Sequence, residues 1–342
     1  HFYTREIAHS GCSLLMIEEP ELYLHPHGRR VISNRLDDFL EEGKNQVIVT
    51  THSPEFMCSS NEELNIIIVK KDITGTSARN VSFAESKEKQ ILVKSQNSEM
   101  FFADYVILVE GGGDKFILEA LALEFGNQKG DLDKNWLNDK NISVIAVTGK
   151  TEFWKYAQKL SEAGIAYCVI ADFDFLLEGL SDYFTKLSLS ELKGTHNSIN
   201  GKIGSSGLKV EKLNDLNVKL QSEVMDFFRQ LKDQGIYILN GKLENFYTDK
   251  AKEIIEGVSG KEERALHIVM ATLDGNNICD YIEYNDFFNI FEILKALDLE
   301  FGKSSPNLSI VPDPTHGETT EADILNPSEL EVEQINIEDI PF

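Results

Sequence analysis

Apolar residues along this chain fall in short runs separated by longer amphipathic stretches. Residues 14–18 (LLMIE), 46–51 (QVIVTT) and 64–70 (LNIIIVK) each read as a buried strand. Residues 26–42 carry a helical pattern that ends near Gly43. The rhythm restarts near residue 100. Residues 105–109 (YVILV) predict a strand running into Gly111, Gly112 and Gly113. A helix is expected over 114–126, with Asp114 near its N-terminus, where negative charge is favoured. Strand 142–148, helix 151–163 and strand 165–171 follow. Residues 176–235 read as largely helical and polar, with a Gly-rich break at 201–207, in the manner of an insertion. Residues 236–240 (IYILN) return to strand, and helices are expected at 245–257, 261–273 and 284–297. Strands alternating with helices predict an α/β protein with parallel sheets.

The character changes at residue 303. Five of the eight prolines (Pro306, Pro312, Pro314, Pro327, Pro341) lie beyond it, together with nine acids and one lysine. Such a segment is expected to be disordered, because it is too polar to bury a core. The pattern therefore divides the chain into residues 1–98, residues 99–300 with a helical insertion at about 176–235, and an acidic tail, 301–342.

Composition narrows the class. An apolar share of 42% suits a globular protein, and no apolar run approaches the roughly 18 residues that span a bilayer. No membrane partner is expected. There is no charged-then-apolar leader, and Cys12, Cys58, Cys168 and Cys279 lie far apart without CxxC spacing. A cytoplasmic protein with reduced thiols is expected. The net charge of -24 argues against a broad nucleic-acid scaffold, which needs Lys and Arg against phosphate. It argues less against a catalytic metal site, which itself needs carboxylates.

Two constellations carry chemistry. In the first, LLMIEEPELYLHP (14–26) ends a strand in Glu18 and Glu19, and VIVTTHSP (47–54) sets His52 just past the next strand. Parallel strands deliver such ends to one sheet edge, where ligands gather. One carboxylate can serve a metal and the other a water, as nucleotide hydrolysis requires. This resembles the second half of an ABC-type ATPase head. The resemblance implies Glu18 as the Walker B carboxylate, Glu19 as the catalytic carboxylate, and His52 as the switch histidine. A phosphate loop is absent: Gly149-Lys150-Thr151 has Val144 where the earlier glycine is required. ATP is therefore expected to bind only in a complete head.

In the second constellation, Glu110 ends YVILV, Asp172 and Asp174 follow the strand IAYCVIA, and Glu244 follows IYILN. Residues two apart on a strand face the same side, so Asp172 and Asp174 are expected to project together. Crowded carboxylates raise one another's pKa unless cations neutralise them, and oxygen ligands select Mg²⁺ or Mn²⁺. Two such ions can assist phosphodiester hydrolysis. The flanking glycines are expected to let backbone approach a phosphate.

The order LVEGGGDK, VTGK, ADFD resembles the Toprim domain, and an ATPase head followed by Toprim and a late LEN glutamate resembles the OLD (overcoming lysogenization defect) nucleases. That family includes the nuclease subunit of Gabija-type phage defence. The resemblance implies a Rossmann-like Toprim domain and metal ligation by Glu110, Asp114, Asp172, Asp174 and Glu244. It implies metal-dependent DNA cleavage, with Glu110 and Asp172 central to catalysis and a lysine near the scissile phosphate. Lys242 and Lys202 are the candidates. DNA is the expected partner, and a homo-oligomer the expected assembly. A topoisomerase would need a nucleophilic tyrosine, and no tyrosine here lies in a recognisable motif. The rival from another class is an assembly module with a vestigial metal site. The final residues, Asp339 to Phe342 (DIPF), resemble the tip of bacterial single-stranded-DNA-binding protein, which implies docking in a basic pocket of another protein.

Overall fold

The computed structural model describes residues 14–41, 45–58, 65–72, 75–81, 83, 97–129, 135–205, 207, 209–273 and 275–297. The expected tail at 301–342 and its terminal tip lie outside the described residues.

In the N-terminal part, β1 (Leu14–Glu18) and β2 (Gln46–Thr50) pair in parallel, joined through helix α1 (Pro26–Glu41). Their expected burial is only half realised. Leu14, Met16 and Ile48 are exposed, and the strands alternate between exposed and half-buried positions. The strand expected at 64–70 forms as β3 (Ile66–Asp72), but it does not extend a parallel sheet. It pairs antiparallel with β4 (Gly75–Val81). The connection explains this: a link of two residues can only reverse the chain, whereas a parallel return needs a crossover of a dozen or more. Strand β4 (GTSARNV) is exposed except at Val81, so no apolar pattern announces it.

The C-terminal part is built on a four-stranded parallel sheet in the order β6-β5-β7-β8. Strands β5 (Tyr105–Val109), β6 (Ile142–Ala146), β7 (Ala166–Ala171) and β8 (Ile236–Ile238) match the expected runs to within two residues at each end. β5 is buried along its whole length because it has a strand on each side and helices on both faces. Its side chains alternate between two cores. Tyr105, Ile107 and Val109 pack with Ile117, Leu118 and Leu121 of α2 (Gly112–Gln128), and with the two C-terminal helices. Val106 and Leu108 pack with Phe153, Tyr156 and Leu160 of the helix that precedes β7.

The described residues between β7 and β8 are mainly helical. Beyond the short α3 (Trp136–Asp139) and α4 (Phe153–Ala163), they form α5 (Asp174–Leu177), α6 (Leu180–Lys186), α7 (Ser190–Ser205) and α8 (Val218–Lys232). This segment is no appendage. Tyr183, Phe184, Val224, Phe227 and Leu231 are buried in the second core and cover one face of the sheet. Within the break expected at 201–207, α7 continues through Gly201 and Gly204 and ends at Ser205. Helices α9 (Asp249–Ile254), α10 (Lys261–Leu273) and α11 (Asn285–Ala296) complete the other face.

Candidate metal centre

The C-terminal ends of β5, β6, β7 and β8 meet at one edge of the sheet, the side where ligands collect in parallel α/β folds. Glu110 leaves β5 there. Its carbonyl accepts the Gly149 N–H at 2.9 Å, and Val109's carbonyl accepts the Val147 N–H at 2.9 Å. The turn after β6 is thereby laid against the end of β5. Gly149 sits at φ +130, which a side chain would strain, so this is a position that glycine's freedom makes possible.

Asp172 follows β7. It is 6% exposed, and its Oδ1 accepts the Leu243 N–H at 3.0 Å. The expected geometry of the Asp172–Asp174 pair needs correction. The strand ends at Ala171, Phe173 turns into helical conformation, and Asp174 opens α5. Strand alternation therefore does not align the two acids; the turn does. One carboxylate oxygen from each of Glu110, Asp172 and Asp174 lies within 4.8 Å of the others.

Asp114 and Glu244 stand beside this trio. Asp114 accepts the Gly111 N–H at 3.0 Å, and so caps α2 as well as facing the other acids. Glu244 lies in the tight turn Leu243–Phe246, paired with Lys261 of α10 at 3.1 Å.

The electrostatics are those of crowded, largely buried acids. Burial, then the neighbouring charge of Asp174, raises Glu110 above the usual carboxylate range. Burial and Glu110 push Asp114 up to about 6. Burial, followed by Asp114, Glu110, Asp174 and Glu244, pushes Asp172 up to about 8. Two carboxylate oxygens, Glu110 Oε2 and Asp174 Oδ1, are buried without a hydrogen-bond partner. Leaving such an acceptor unsatisfied costs about 1–3 kcal/mol, and a cation would relieve it. An all-oxygen donor set fits a hard divalent ion.

The lysines differ from the expectation. Lys242 does face the site, 3.5 Å from Asp174 Oδ2. Lys202 is exposed on α7, where it pairs with Glu223 of α8 and contacts none of the five acids. Two lysines escaped the sequence reading. Lys150 lies 2.9 Å from both Asp174 Oδ2 and Glu178 Oε2, and Lys261 holds Glu244. Lys150 directly follows the Gly149 turn at the same sheet edge, and that signal could have found it. Two of the glycines after Glu110 also have a packing role. A Cβ at Gly113 would come within 3.3 Å of Ala265 Cβ, and one at Gly112 would strike the Glu262 side chain. They allow α2 and α10 to pack closely.

At the N-terminal sheet, Glu18 is exposed at the end of β1. The Glu19 carboxylate is 3.6 Å from the His52 ring, which is itself largely exposed. The residue that organises this corner is one the sequence reading passed over, Glu21. It is buried, and its Oε1 accepts the His52 N–H at 2.6 Å. Burial works to raise its pKa, but hydrogen bonds from backbone and Thr51 outweigh that and lower it.

Comparison with known proteins gives two family matches. Residues 101–174 match the overcoming lysogenization defect protein-like TOPRIM domain, and residues 4–57 match an AAA ATPase domain. The Old nuclease of Escherichia phage P2 is 31% identical over 262 residues, covering 69% of this chain and 43% of the relative. Endonuclease GajA of Bacillus cereus (strain HuB5-5) is 21% identical over 297 residues, covering 76% of this chain and 42% of the relative. The chain thus spans less than half the length of these curated relatives. The solved C-terminal region of the Xanthomonas campestris pv. campestris OLD protein overlays at a TM-score of 0.29 with 20% identity, over 58% of this chain and 81% of that one.

Proposed function

The chain belongs to the OLD (overcoming lysogenization defect) family, and from that premise we propose that its Toprim domain is a divalent-metal-dependent DNA endonuclease, normally driven by an ABC-type ATPase head. The observation that carries this reading is the convergence of Glu110, Asp172 and Asp174 within 4.8 Å, with two buried oxygens lacking partners. In it, Glu110, Asp114, Asp172, Asp174 and Glu244 would hold Mg²⁺ or Mn²⁺. The bound ions would supply an activated water and stabilise the leaving oxygen of a phosphodiester.

The chain's own residues do the rest. The Leu243 N–H fixes the Asp172 carboxylate, and the Gly149 turn fixes the end of β5 beneath Glu110. Lys242 and Lys261 present positive charge at the rim, where a phosphate backbone would approach. Residues 1–98 would form the C-terminal part of the head, residues 99–300 the nuclease domain and 301–342 a tail. Glu18, Glu19 and His52 would act on ATP only in a complete head. The biological setting we propose is cytoplasmic phage defence, by analogy with the relatives.

Incubation of the purified chain with supercoiled plasmid tests this. Nicked or linear product is expected with Mg²⁺ or Mn²⁺, none with EDTA, and none from Asp172→Asn. Plasmid left intact by a folded chain that demonstrably binds Mn²⁺ would favour the assembly-module reading instead.

A further inference from the structure

The cations around the acidic centre are not equivalent. Lys261 and Lys242 have side chains 70% and 37% exposed, and each makes one ion pair with an acid of the cluster. Lys150 is 19% exposed and lies between two acids, at 2.9 Å from each. Its backbone is locked as well. The turn Lys150–Glu152 leads into Phe153, whose ring packs edge-on against Phe175 of α5 with centroids 5.0 Å apart. Gly179, at φ +106, brings the chain so close that a Cβ there would lie 3.2 Å from the Lys150 carbonyl oxygen. The ammonium is thus pinned against Asp174 Oδ2, while Asp174 Oδ1 is left buried and unpartnered on the same carboxylate.

From this geometry, and resting on the metal-centre reading above, we infer that Lys150 is a built-in counter-cation whose ammonium, held between Asp174 and Glu178, sets how tightly the centre takes a divalent ion. A fixed positive charge in contact with a ligand carboxylate both neutralises part of the site's attraction and repels the incoming ion. Because Lys150 is partly buried, water screens this less than it would for an exposed lysine. Glu178, which is 73% exposed, moderates the effect by sharing the ammonium. The centre is thereby spared the full repulsion of its own acids before a metal arrives, at the cost of weaker metal uptake.

Calorimetric titration of the EDTA-stripped full chain with Mn²⁺ tests the inference. Lys150→Met is expected to tighten Mn²⁺ binding by about tenfold or more, and Lys242→Met by clearly less. Glu178→Gln, which leaves the ammonium on Asp174 alone, is expected to weaken it several-fold. If Lys150 were only a structural tie between the turn and α5, Lys150→Met would lower the melting temperature and leave Mn²⁺ affinity unchanged or weaker. That result overturns the inference. Should Lys150→Met fail to fold, unchanged Mn²⁺ affinity in Glu178→Gln overturns it equally. A folded wild-type chain that takes up no Mn²⁺ overturns the metal-centre reading itself, and this inference with it.

Discussion

The two parallel sheets among the described residues share a grammar and differ in depth. β1 and β2 are apolar strands with acids and a histidine at their ends, yet Leu14, Met16 and Ile48 remain exposed. β5 and β7 are flanked by strands and layered by helices, so their apolar residues are nearly all buried. The polar groups at the strand ends inherit that difference. His52 is largely exposed and meets Glu19 at 3.6 Å, whereas Asp172 is 6% exposed among four other acids. A strand's apolar sequence specifies the strand, but the layers around it decide whether the groups at its end become chemically unusual.

The sharpest break in this comparison is catalytic. If Asp172 holds the metal as proposed, Asp172→Ala is expected to lower plasmid cleavage by at least about a hundredfold, with the fold retained by circular dichroism. In contrast, His52→Ala should leave cleavage by this chain unchanged, and no ATP turnover should be measurable in either protein. Wild-type nicking by the Asp172 variant would separate the buried acids from function altogether.

Stability offers the next contrast. Ile107→Ala, in the buried β5, is expected to cost about 2–5 kcal/mol in denaturant unfolding. Met16→Ala, at a position 69% exposed in β1, should stay within about 0.5 kcal/mol. Equal losses would mean that the exposed face of β1 is covered in solution.

The acids also give the metal-free protein a pH signature. Asp172 rises from 3.8 to about 8 on folding, and Asp114 from 3.8 to about 6. A carboxyl whose folded pKa is raised binds its proton more tightly in the native state. Its contribution is full below the unfolded value near pH 4 and is lost as pH climbs through the folded value. In EDTA, the melting temperature should therefore fall between pH 4 and pH 8, with Asp172→Asn flattening the slope. Saturating Mn²⁺ should flatten it too. A melting temperature that rises across that window in EDTA would show that the cluster is not under the strain described.

The smallest effect concerns helix contact. Gly113→Ala places a methyl 3.3 Å from Ala265 and should cost about 1–3 kcal/mol without abolishing cleavage.

Much of this architecture was legible because the strands of the large sheet are uninterrupted apolar runs. The four acids at their ends could be read as converging once the strands were taken as parallel. What could not be read was set by backbone turns and tertiary contact. Phe173 rotates Asp174 out of strand alternation, and nothing in ADFD says so. The lysines Lys150 and Lys261 look like ordinary surface residues until α4 and α10 are docked. The packing role of the glycines after Glu110 was not legible: Gly113 is pressed against a helix that begins about 150 residues later in the chain, a separation no local pattern reports. β4 stayed hidden because only Val81 of it is buried.

Glu110 lies near the start of the large sheet's sequence and Glu244 near its end, with the whole helical segment between them. A chain emerging from the ribosome exposes its first acid long before its last one is synthesised. The cluster therefore assembles in stages: Asp172 and Asp174 reach Glu110 once β7 has docked beside β5, and Glu244 joins only after β8 has docked beside β7. The order of the strands alone thus delays completion of the five-acid cluster until the last strand of this sheet has been made.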